Sequence, residues 1–296
     1  MLRVNIIGAG KVGRTLMSLV GTVRDAKLTD VLSGHLQSAE AAVAVSGRGR
    51  AVSSMAEMGP AELWVLSVPD DRIVSVARAL AEAQGGQKLP SDAVAPVAMH
   101  CSGFLSSDVL APLRDLGWSV ASCHPVLSFA DPEIAARQFP GTCCAIEGDA
   151  PATALVAGLI TALQGLPFAV DPERKALYHA AAVFSNNFTT VLQAIAREAW
   201  TDAGVSAEIA ARLGNSLLAG TSESVSRLGP AAALTGPAAR GDLEVLRRQE
   251  AAVAAWNPEA AALYATLSRM ARRLKKTATA LPPSAQVARD GPSSED

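Results

Sequence analysis

The stretch "VNIIGAGKVGRTL", residues 4–16, places a G-x-G-x-x-G pattern between an apolar strand pattern and the start of a helix. In this context the first glycine allows a tight turn, the second lets the backbone approach a pyrophosphate, and the third allows close helix–strand packing. Exposed N–H groups and the helix dipole then attract phosphates. We therefore predict a dinucleotide site, with a glycine-rich turn without a ligand as the alternative. The predicted contacts are Gly8, Ala9, Gly10, Lys11, Val12 and Gly13.

Short apolar runs alternate with helix-like segments over the first 170 residues. This alternation predicts a mostly parallel sheet with helices on both faces. Residues 85–91 contain Gly, Gln and Pro and are predicted to form a surface loop. The predicted strands are residues 2–7, 28–33, 63–67, 95–99, 119–122 and 143–147, and the predicted helices include residues 12–20 and 71–83.

The pattern changes after residue 170, because apolar residues then recur every three or four positions without a convincing strand. Pro172 suits the first turn of a long helix, and breaks are predicted near Gly204 and at residues 229–230, 236–237 and 257–258. The predicted fold class is α/β, with an N-terminal Rossmann dinucleotide-binding domain followed by an all-α C-terminal domain. The predicted bounds are 1–170 for the Rossmann domain, 171–276 for an all-helical substrate and dimerisation domain, and 277–296 for a disordered tail.

The composition argues against several classes of protein. With 49% hydrophobic and 18% charged residues, the 296-residue chain is typical of a compact protein. A net charge of −2 gives no general attraction to nucleic acid or anionic membrane, and no apolar run is long enough to span a bilayer. The first residues lack the pattern of a signal peptide. We expect a cytoplasmic protein with neither nucleic acid nor membrane as a partner.

The four cysteines fit no common zinc spacing, and the two that are adjacent have poor geometry for a disulfide. We interpret them as small buried residues of a reduced protein and predict no metal site. They are Cys101, Cys123, Cys143 and Cys144.

The end of the second strand, "DVLSGHLQ", bears on which dinucleotide binds. An NAD site usually has an acid at this strand end, but Asp30 comes too early. Ser33 and His35 are compatible with a 2′-phosphate, although no Arg is at hand to clamp it. We favour NADP, with NAD possible. A flavin fits less well, because the second domain looks too small and too helical.

The stretch "LWVLSVPDDRI", residues 63–73, is predicted to be a strand and the loop after it. Val68 and Pro69 are expected to pack along the cofactor. Asp70 and Asp71 resemble helix N-caps, and a role in catalysis or metal binding is the alternative.

Two predicted strands end in a histidine, in "VAMHCSGFLSSDVL" (97–110) and "SVASCHPVLSF" (119–129). Ligands bind beyond the carboxyl ends of strands in open α/β sheets. Ser102 is therefore predicted to lie at the nicotinamide edge and to assist catalysis, His124 to take part in proton transfer, and His100 to bind substrate. The alternative is that each histidine only ties down its loop.

The stretch "ERKALYHAAAVFSNNFTTVLQA", residues 173–194, reads as one long apolar helix with a polar stripe. At about 100° per residue, Lys175, His179, Asn186 and Gln193 fall within roughly 40° of one another, and Thr190 lies close by. Buried polar groups need partners, and a substrate and cofactor would provide them. Lys175, His179 and Asn186 are predicted to be catalytic. The alternative is a polar helix–helix contact in a dimer.

The Gly- and Pro-containing loop "ALTGPAARGD", residues 233–242, carries Thr235 and Arg240. We predict that both bind substrate, with Arg240 clamping a carboxylate. Equally, Arg240 could pair with Asp242 and fasten the loop.

Six motifs occur in a fixed order between residues 8 and 242: "GAGKVG", "VPDDRI", "HCSGFLSSDVL", "SCHPVLSF", "KALYHAAAVFSNN" and "LTGPAARGD". Together they resemble the Rossmann-like oxidoreductases with a C-terminal domain of unknown function 2520. These are related to ketopantoate reductase, pyrroline-5-carboxylate reductase and the beta-hydroxyacid dehydrogenases. The resemblance implies a dinucleotide domain, a helical domain and often a dimer.

The resemblance also implies roles for side chains. In ketopantoate reductase and the beta-hydroxyacid dehydrogenases, a Lys and an Asn on the first helix after the Rossmann domain serve the substrate carbonyl. Lys175 matches that Lys in placement. The Asn match is imperfect, because His179 follows Lys175 by one turn and Asn186 by about three. The His124–Pro125 pair resembles, locally, one in prephenate dehydrogenase.

The sequence therefore predicts an NADP-dependent oxidoreductase that acts on a small carbonyl acid, with hydride passing between nicotinamide and substrate. A 2-oxo acid such as ketopantoate is implied as substrate by the resemblance alone. One alternative is a non-catalytic dinucleotide-binding sensor or scaffold. A lower-ranked alternative is a deazaflavin-linked NADP reductase.

Overall fold

The computed structural model describes residues 1–85 and 95–282. They form two compact units, Met1–Phe188 and the residues from Thr189 onward. The predicted surface loop at residues 85–91 lies outside the described residues except for Gly85. The same holds for the predicted tail beyond residue 282.

The first unit is built on an eight-stranded sheet with the order β3-β2-β1-β4-β5-β6-β7-β8. Neighbouring strands are parallel except for the antiparallel pair β6 and β7. All six predicted strands are present, and the sequence did not reveal the short strands β3 and β8. The strands are β1 (Leu2–Ile7), β2 (Ala26–Leu32), β3 (Arg50–Val52), β4 (Leu63–Leu66), β5 (Val97–His100), β6 (Ser119–Pro125), β7 (Cys143–Gly148) and β8 (Leu166–Ala169).

Helices of the first unit cover both faces of this sheet, and each face has its own apolar core. One core contains Met17 and Ile160 and the other contains Ile73 and Leu113. Strands β4 and β5 are buried along their whole length, as parallel strands between two helical layers must be. The helices are α1 (Lys11–Val20), α2 (Leu36–Ser46), α3 (Asp70–Gln84), α4 (Ala111–Arg114), α5 (Pro132–Gln138), α6 (Ala150–Ala162) and α7 (Lys175–Ser185).

From Lys175 onward the described residues form helices joined by short turns. The four predicted breaks all fall between consecutive helices, and prolines occupy the first helical position after three of them. Gly236, at φ +90°, makes one of these turns in a backbone region that favours glycine. The helices are α8 (Asn187–Asp202), α9 (Ala207–Leu228), α10 (Pro230–Ala233), α11 (Pro237–Arg240), α12 (Leu243–Trp256) and α13 (Pro258–Thr277). The predicted fold class is confirmed.

The prediction of one long helix over residues 173–194 is wrong. Residues Pro172–Arg174 form a 3-10 turn capped by Asp171, and α7 begins only at Lys175. The backbone then departs from helical geometry at Asn186, with φ −111° and ψ −63°, and α8 begins at the next residue. Gln193 and Thr190 therefore do not share an unbroken helical face with Lys175.

Two further findings concern membrane-spanning helices and the burial of the cysteines. None of the described helices combines the length and apolar character needed to cross a membrane. All four cysteines are free, but their burial differs from the expectation. Cys123 and Cys144 are buried and Cys101 is half-buried, whereas Cys143 is exposed at the start of β7.

Candidate functional site

The glycine-rich loop between β1 and α1 has the backbone geometry that the motif requires. Gly8 has φ +113°, and a Cβ there would lie 2.5 Å from the carbonyl oxygen of Ser67. A Cβ on Gly13 would overlap the carbonyl oxygen of Gly8. No atom lies within 4 Å of the position of a Cβ on Gly10. Two glycines thus allow close packing, and the middle one leaves the backbone open to a ligand.

The start of α1 fits a dinucleotide pyrophosphate. Gly10 is the N-cap residue, no side chain caps the helix, and no acidic residue lies in the first turn. The first N–H groups of a helix lack intrahelical partners and attract anions. Ala9 and Gly13 are buried, Val12 is half-buried, and Gly10 and Lys11 are exposed. The residues that would hold the phosphates are therefore Gly8 to Gly13.

The loop after β4 borders the glycine-rich loop. Ser67 Oγ donates a hydrogen bond to the carbonyl oxygen of Gly8 at 2.8 Å, and the amide nitrogen of Val68 lies 3.0 Å from the position of a Cβ on Gly8. Pro69 is the N-cap residue of α3. Val68 is therefore next to the predicted phosphate loop. The N-cap prediction for Asp70 and Asp71 is wrong, because they are the first two residues within the helix, where their charge favours its dipole.

Asp30 on β2 is fully engaged inside the protein. Its side chain is 6% exposed and binds Arg50 through hydrogen bonds of 2.8 and 3.1 Å. It also accepts a bond of 2.7 Å from the amide of Gly59. Ser33 directly follows β2, as expected. The end of this strand therefore offers a hydroxyl rather than a free carboxylate.

His100 has both ring nitrogens bonded to the backbone. Nδ1 accepts from the amide of Ser102 at 3.1 Å, so Nε2 carries the proton and donates to the carbonyl oxygen of Ser106 at 3.0 Å. The side chain is completely buried, and burial lowers its pKa to about 4. A neutral imidazole with no spare nitrogen organises the loop after β5. This arrangement favours the structural alternative over the predicted substrate contact.

Ser102 also acts within that loop. Its hydroxyl donates to Asp70 Oδ2 at 2.8 Å and accepts from the amides of Phe104 and Leu105 at 3.1 and 2.9 Å. The residue is 5% exposed. Asp70 therefore fixes the hydroxyl of Ser102, a contact that the sequence did not reveal. A hydroxyl with three protein partners is a poor candidate for the predicted direct catalytic and cofactor contacts, so we revise its role to one of positioning.

Lys175 is buried at the start of α7, with a relative exposure of 1%. Its Nζ donates to the carbonyl oxygen of Ser102 at 3.0 Å and to Ser122 Oγ, and lies 3.3 Å from Glu147 Oε1. We call these four residues the Lys175 centre. His100, Ser122 and Glu147 are in register on β5, β6 and β7. They thus form a polar row on one face of the sheet, which Lys175 joins.

The three N–H bonds of the Lys175 ammonium all have partners in this centre. Burial lowers the pKa of Lys175, and the nearby Glu147 carboxylate opposes that shift. Glu147 additionally accepts bonds of 2.8 Å from both the amide and the hydroxyl of Ser107. These contacts make Lys175 a structural anchor for the start of α7. This role differs from the substrate contact that the sequence predicts.

His124 and His179 lie beside the same cavity, which has a volume of about 360 Å³. Their ring centroids are 5.3 Å apart, with planes at 76°. Asn186 and Ala182 also line this cavity, whereas Lys175 does not. Three of the predicted catalytic residues are therefore brought together, with Ala182 leaving space between them.

Gly103 makes this juxtaposition of imidazoles possible. A Cβ on Gly103 would overlap Nδ1 of His179 and lie 2.9 Å from Nε2 of His124. Nδ1 of His179 is buried and has no hydrogen-bond partner among the described residues. On the other side of His124, Nδ1 lies 2.9 Å from the hydroxyl of Tyr178. Burial, together with electrostatic interactions with His179 and Lys175, lowers the pKa of His124 to about 4.

A larger cavity of about 740 Å³ lies near β8 and α6. None of the predicted site residues lines it. Its Arg114 is already paired with Asp108 and Asp149 at 3.2 Å. The smaller cavity with its two imidazoles is therefore the candidate active site. Over the described part of the chain, no group of three or more His, Cys, Asp or Glu side chains could hold a metal ion.

Thr235 and Arg240 belong to the second unit and are exposed. Arg240 ends α11, and Asp242 accepts a hydrogen bond from the amide of Val245 at 3.3 Å as the cap of α12. The ion pair between Arg240 and Asp242, the alternative considered above, is not among those that the described residues form. Their predicted substrate contacts stay predictions.

Sequence reasoning missed Glu147 and Tyr178. Glu147 carried a signal, since it is the acid in the otherwise apolar strand "CCAIEG". Tyr178 directly precedes His179, but nothing in the sequence reveals that it meets His124.

The fold is a Rossmann-type α/β architecture with a glycine-rich loop after its first strand. Residues 142–271 match the family described as "Domain of unknown function (DUF2520)". The chain therefore contains this domain, which confirms the resemblance seen in the motifs. A comparison with curated protein sequences finds no significant match.

Solved structures share this architecture over nearly the whole chain. Protein TM1727 from Thermotoga maritima is 26% identical, with a TM-score of 0.71, and the match covers 93% of this chain and 99% of that one. The candidate NADP oxidoreductase BF3122 from Bacteroides fragilis is 22% identical, with a TM-score of 0.71 and coverage of 92% and 98%. Plasmodium falciparum pyrroline carboxylate reductase with NADP bound is 12% identical, with a TM-score of 0.55 and coverage of 93% and 98%.

Proposed function

We propose that this protein is an NAD(P)-dependent oxidoreductase that transfers hydride between a nicotinamide cofactor and a small carbonyl acid. The observation that carries the proposal is the pairing, in one unit, of an open glycine-rich loop with a cavity lined by two imidazoles. The loop follows β1 and His124 lies near the carboxyl end of β6, so both lie toward the same edge of the parallel part of the sheet. This is the edge at which such folds bind ligands.

NADP is the cofactor that we propose in preference to NAD. An NAD site uses a free carboxylate at the end of the second strand to bind the ribose hydroxyls. The carboxylate of Asp30 is instead occupied by Arg50 and Gly59, and Ser33 offers a hydroxyl. The similarity to a reductase with NADP bound and to a candidate NADP oxidoreductase supports the same choice.

The residues that line the cavity suggest how the protein would bind the substrate oxygen during hydride transfer. When bound, the nicotinamide would supply or accept the hydride. His124, His179 and Asn186 would surround the substrate oxygen and stabilise the charge that develops on it through hydrogen bonds. The pKa of about 4 keeps His124 neutral near pH 7, so it can donate from one nitrogen and accept at the other. Lys175 would act outside the cavity by tying the loop after β5 and the start of α7 to β6 and β7.

A 2-oxo acid such as ketopantoate is the first substrate to test. The experiment measures NADPH and NADH binding by calorimetry and then NADPH oxidation with ketopantoate, other 2-oxo acids and cyclic imines. We expect NADPH to bind at least about tenfold more tightly than NADH. Absence of binding by either nucleotide would reject the proposal at its first step.

We also propose a homodimer formed through the helical domain. Helix α9 exposes a series of large apolar side chains, of which Leu217 and Leu228 are 57% and 61% exposed. Exposed apolar surface of this extent commonly marks an association surface. Light scattering should give twice the 30.4 kDa mass of the chain, and Leu217→Glu should shift it toward the monomer. A monomeric wild-type protein would contradict this part.

A further inference from the structure

Tyr178 and His124 form a pair beside the candidate active site. The Tyr178 hydroxyl lies 2.9 Å from His124 Nδ1, and the two rings meet edge to face with centroids 5.7 Å apart. Phe168 of β8 makes a second edge-to-face contact with Tyr178, with centroids 6.2 Å apart. The phenol ring is therefore constrained by two neighbours as well as by the hydrogen bond.

The direction of the hydrogen bond follows from the available partners. If Nδ1 donated, the hydroxyl hydrogen of the half-buried Tyr178 would have to turn to solvent, because the described residues give it no second partner. Burial raises the pKa of Tyr178 to about 12, so its hydroxyl keeps the proton. His124 stays neutral near pH 7, since burial and the interactions with His179 and Lys175 lower its pKa to about 4 despite the opposing effect of Asp70. These observations favour the phenol as the donor and Nδ1 as the acceptor.

We propose that Tyr178 is a positioning residue that fixes the tautomer of His124. Because its hydroxyl donates to Nδ1, the single ring proton of neutral His124 stays on Nε2. Nε2 lies at Gly103, where the imidazole of His179 also approaches. The pair thereby keeps an N–H donor, rather than a lone pair, on the Nε2 side of His124, a residue that lines the cavity. The use of this donor for a substrate oxygen rests on the proposed function, whereas the tautomer does not.

Helix α7 connects this pair to the Lys175 centre. Lys175 lies three residues before Tyr178 and ties the start of the helix to β6, β7 and the loop after β5. Residues three apart on a helix are near neighbours, so the anchor limits how far the phenol can move from His124. The helix therefore supplies both the anchor and the hydroxyl.

The test is nitrogen NMR of the imidazole rings in the full chain, without cofactor or substrate. The four histidines are labelled with ¹⁵N, and His124→Asn identifies the signals of His124. We expect wild-type His124 to be the Nε2–H tautomer near pH 7, with Nδ1 shifted as a hydrogen-bonded acceptor. In Tyr178→Phe, that shift should be lost and the Nδ1–H form should become populated. A dominant Nδ1–H form in the wild type would overturn the proposal even if the variant failed to fold.

The matched control is Tyr264→Phe, which removes the hydroxyl of the only other tyrosine. Tyr264 donates to Gln249 Oε1 in the second unit, so its loss should leave the signals of His124 unchanged. In the NADPH assay, Tyr178→Phe should lower kcat about tenfold and leave KM for NADPH unchanged. If the NMR result holds but the wild type shows no turnover, the proposed function fails and the tautomer assignment stands. If turnover occurs but the tautomer is unaffected by Tyr178→Phe, the positioning role of Tyr178 fails alone.

Discussion

The glycine-rich loop and the Lys175 centre belong to the same sheet, but they are built in different ways. The loop is a local structure, in which residues 8 to 13 are shaped by missing side chains and by the adjacent Ser67. The Lys175 centre joins residues that are 28 to 73 positions apart in the chain, through charged and polar side chains. A local motif tolerates loss of distant contacts, whereas a buried charged network depends on every member. Substitutions should therefore affect the two regions differently.

The largest effect is expected from breaking the Lys175 centre. Lys175→Met leaves the buried carboxylate of Glu147 without its cation, which should lower the free energy of unfolding by about 3–5 kcal/mol. Denaturant unfolding measures this loss. The double variant Lys175→Met/Glu147→Gln should recover part of it, because the unpaired charge is then removed. Lys11→Met, at an exposed position, is the control. A cost below about 1 kcal/mol for Lys175→Met would mean that the pair contributes little.

Two substitutions in the glycine-rich loop should differ in their effects on stability and on NADPH binding. Gly13→Ala places a Cβ against the carbonyl oxygen of Gly8, so it should cost about 1–3 kcal/mol and abolish NADPH binding. Gly10→Ala meets no protein atom within 4 Å and should cost under about 1 kcal/mol, yet weaken NADPH binding about tenfold. Thermal unfolding and calorimetry give the two quantities. Equal effects of both substitutions on stability would contradict this description of the loop.

A smaller effect is the pH dependence of stability, which comes from two buried histidines outside the glycine-rich loop. The pKa values of His100 and His124 fall from 6.5 to about 4 on folding, so the folded protein binds fewer protons than the unfolded chain within that range. Their contribution to stability is therefore complete above pH 6.5 and is lost as the pH falls toward 4. Between pH 7 and pH 5.5 the loss should be about 1 kcal/mol per histidine.

Denaturant unfolding at several pH values measures this slope. His124→Asn should remove about half of it, and His35→Asn, at an exposed position, should leave it unchanged. A wild-type stability that does not vary between pH 7 and 5.5 would contradict the burial of these rings.

The contrast also explains how much could be predicted from the sequence. The six longer strand patterns, the turn of the glycine loop and the helix breaks at Gly and Pro residues depend on neighbouring residues, and they were predicted correctly. Asn186 interrupts a helix that periodicity alone made continuous. The partners of Lys175 depend on the register of β5, β6 and β7, which no local pattern encodes. For the same reason the contact of Tyr178 with His124 could not be anticipated.

The most direct test of the central claim measures NADPH oxidation by the wild type and by His124→Asn, together with NADPH binding by each. With the best substrate of the carbonyl panel, the wild type should turn over, and the variant should lose about 100-fold in kcat. The dissociation constant for NADPH should change by less than about twofold, because the glycine-rich loop is unaltered. A variant as active as the wild type, or a wild type that does not bind NADPH, would contradict the account.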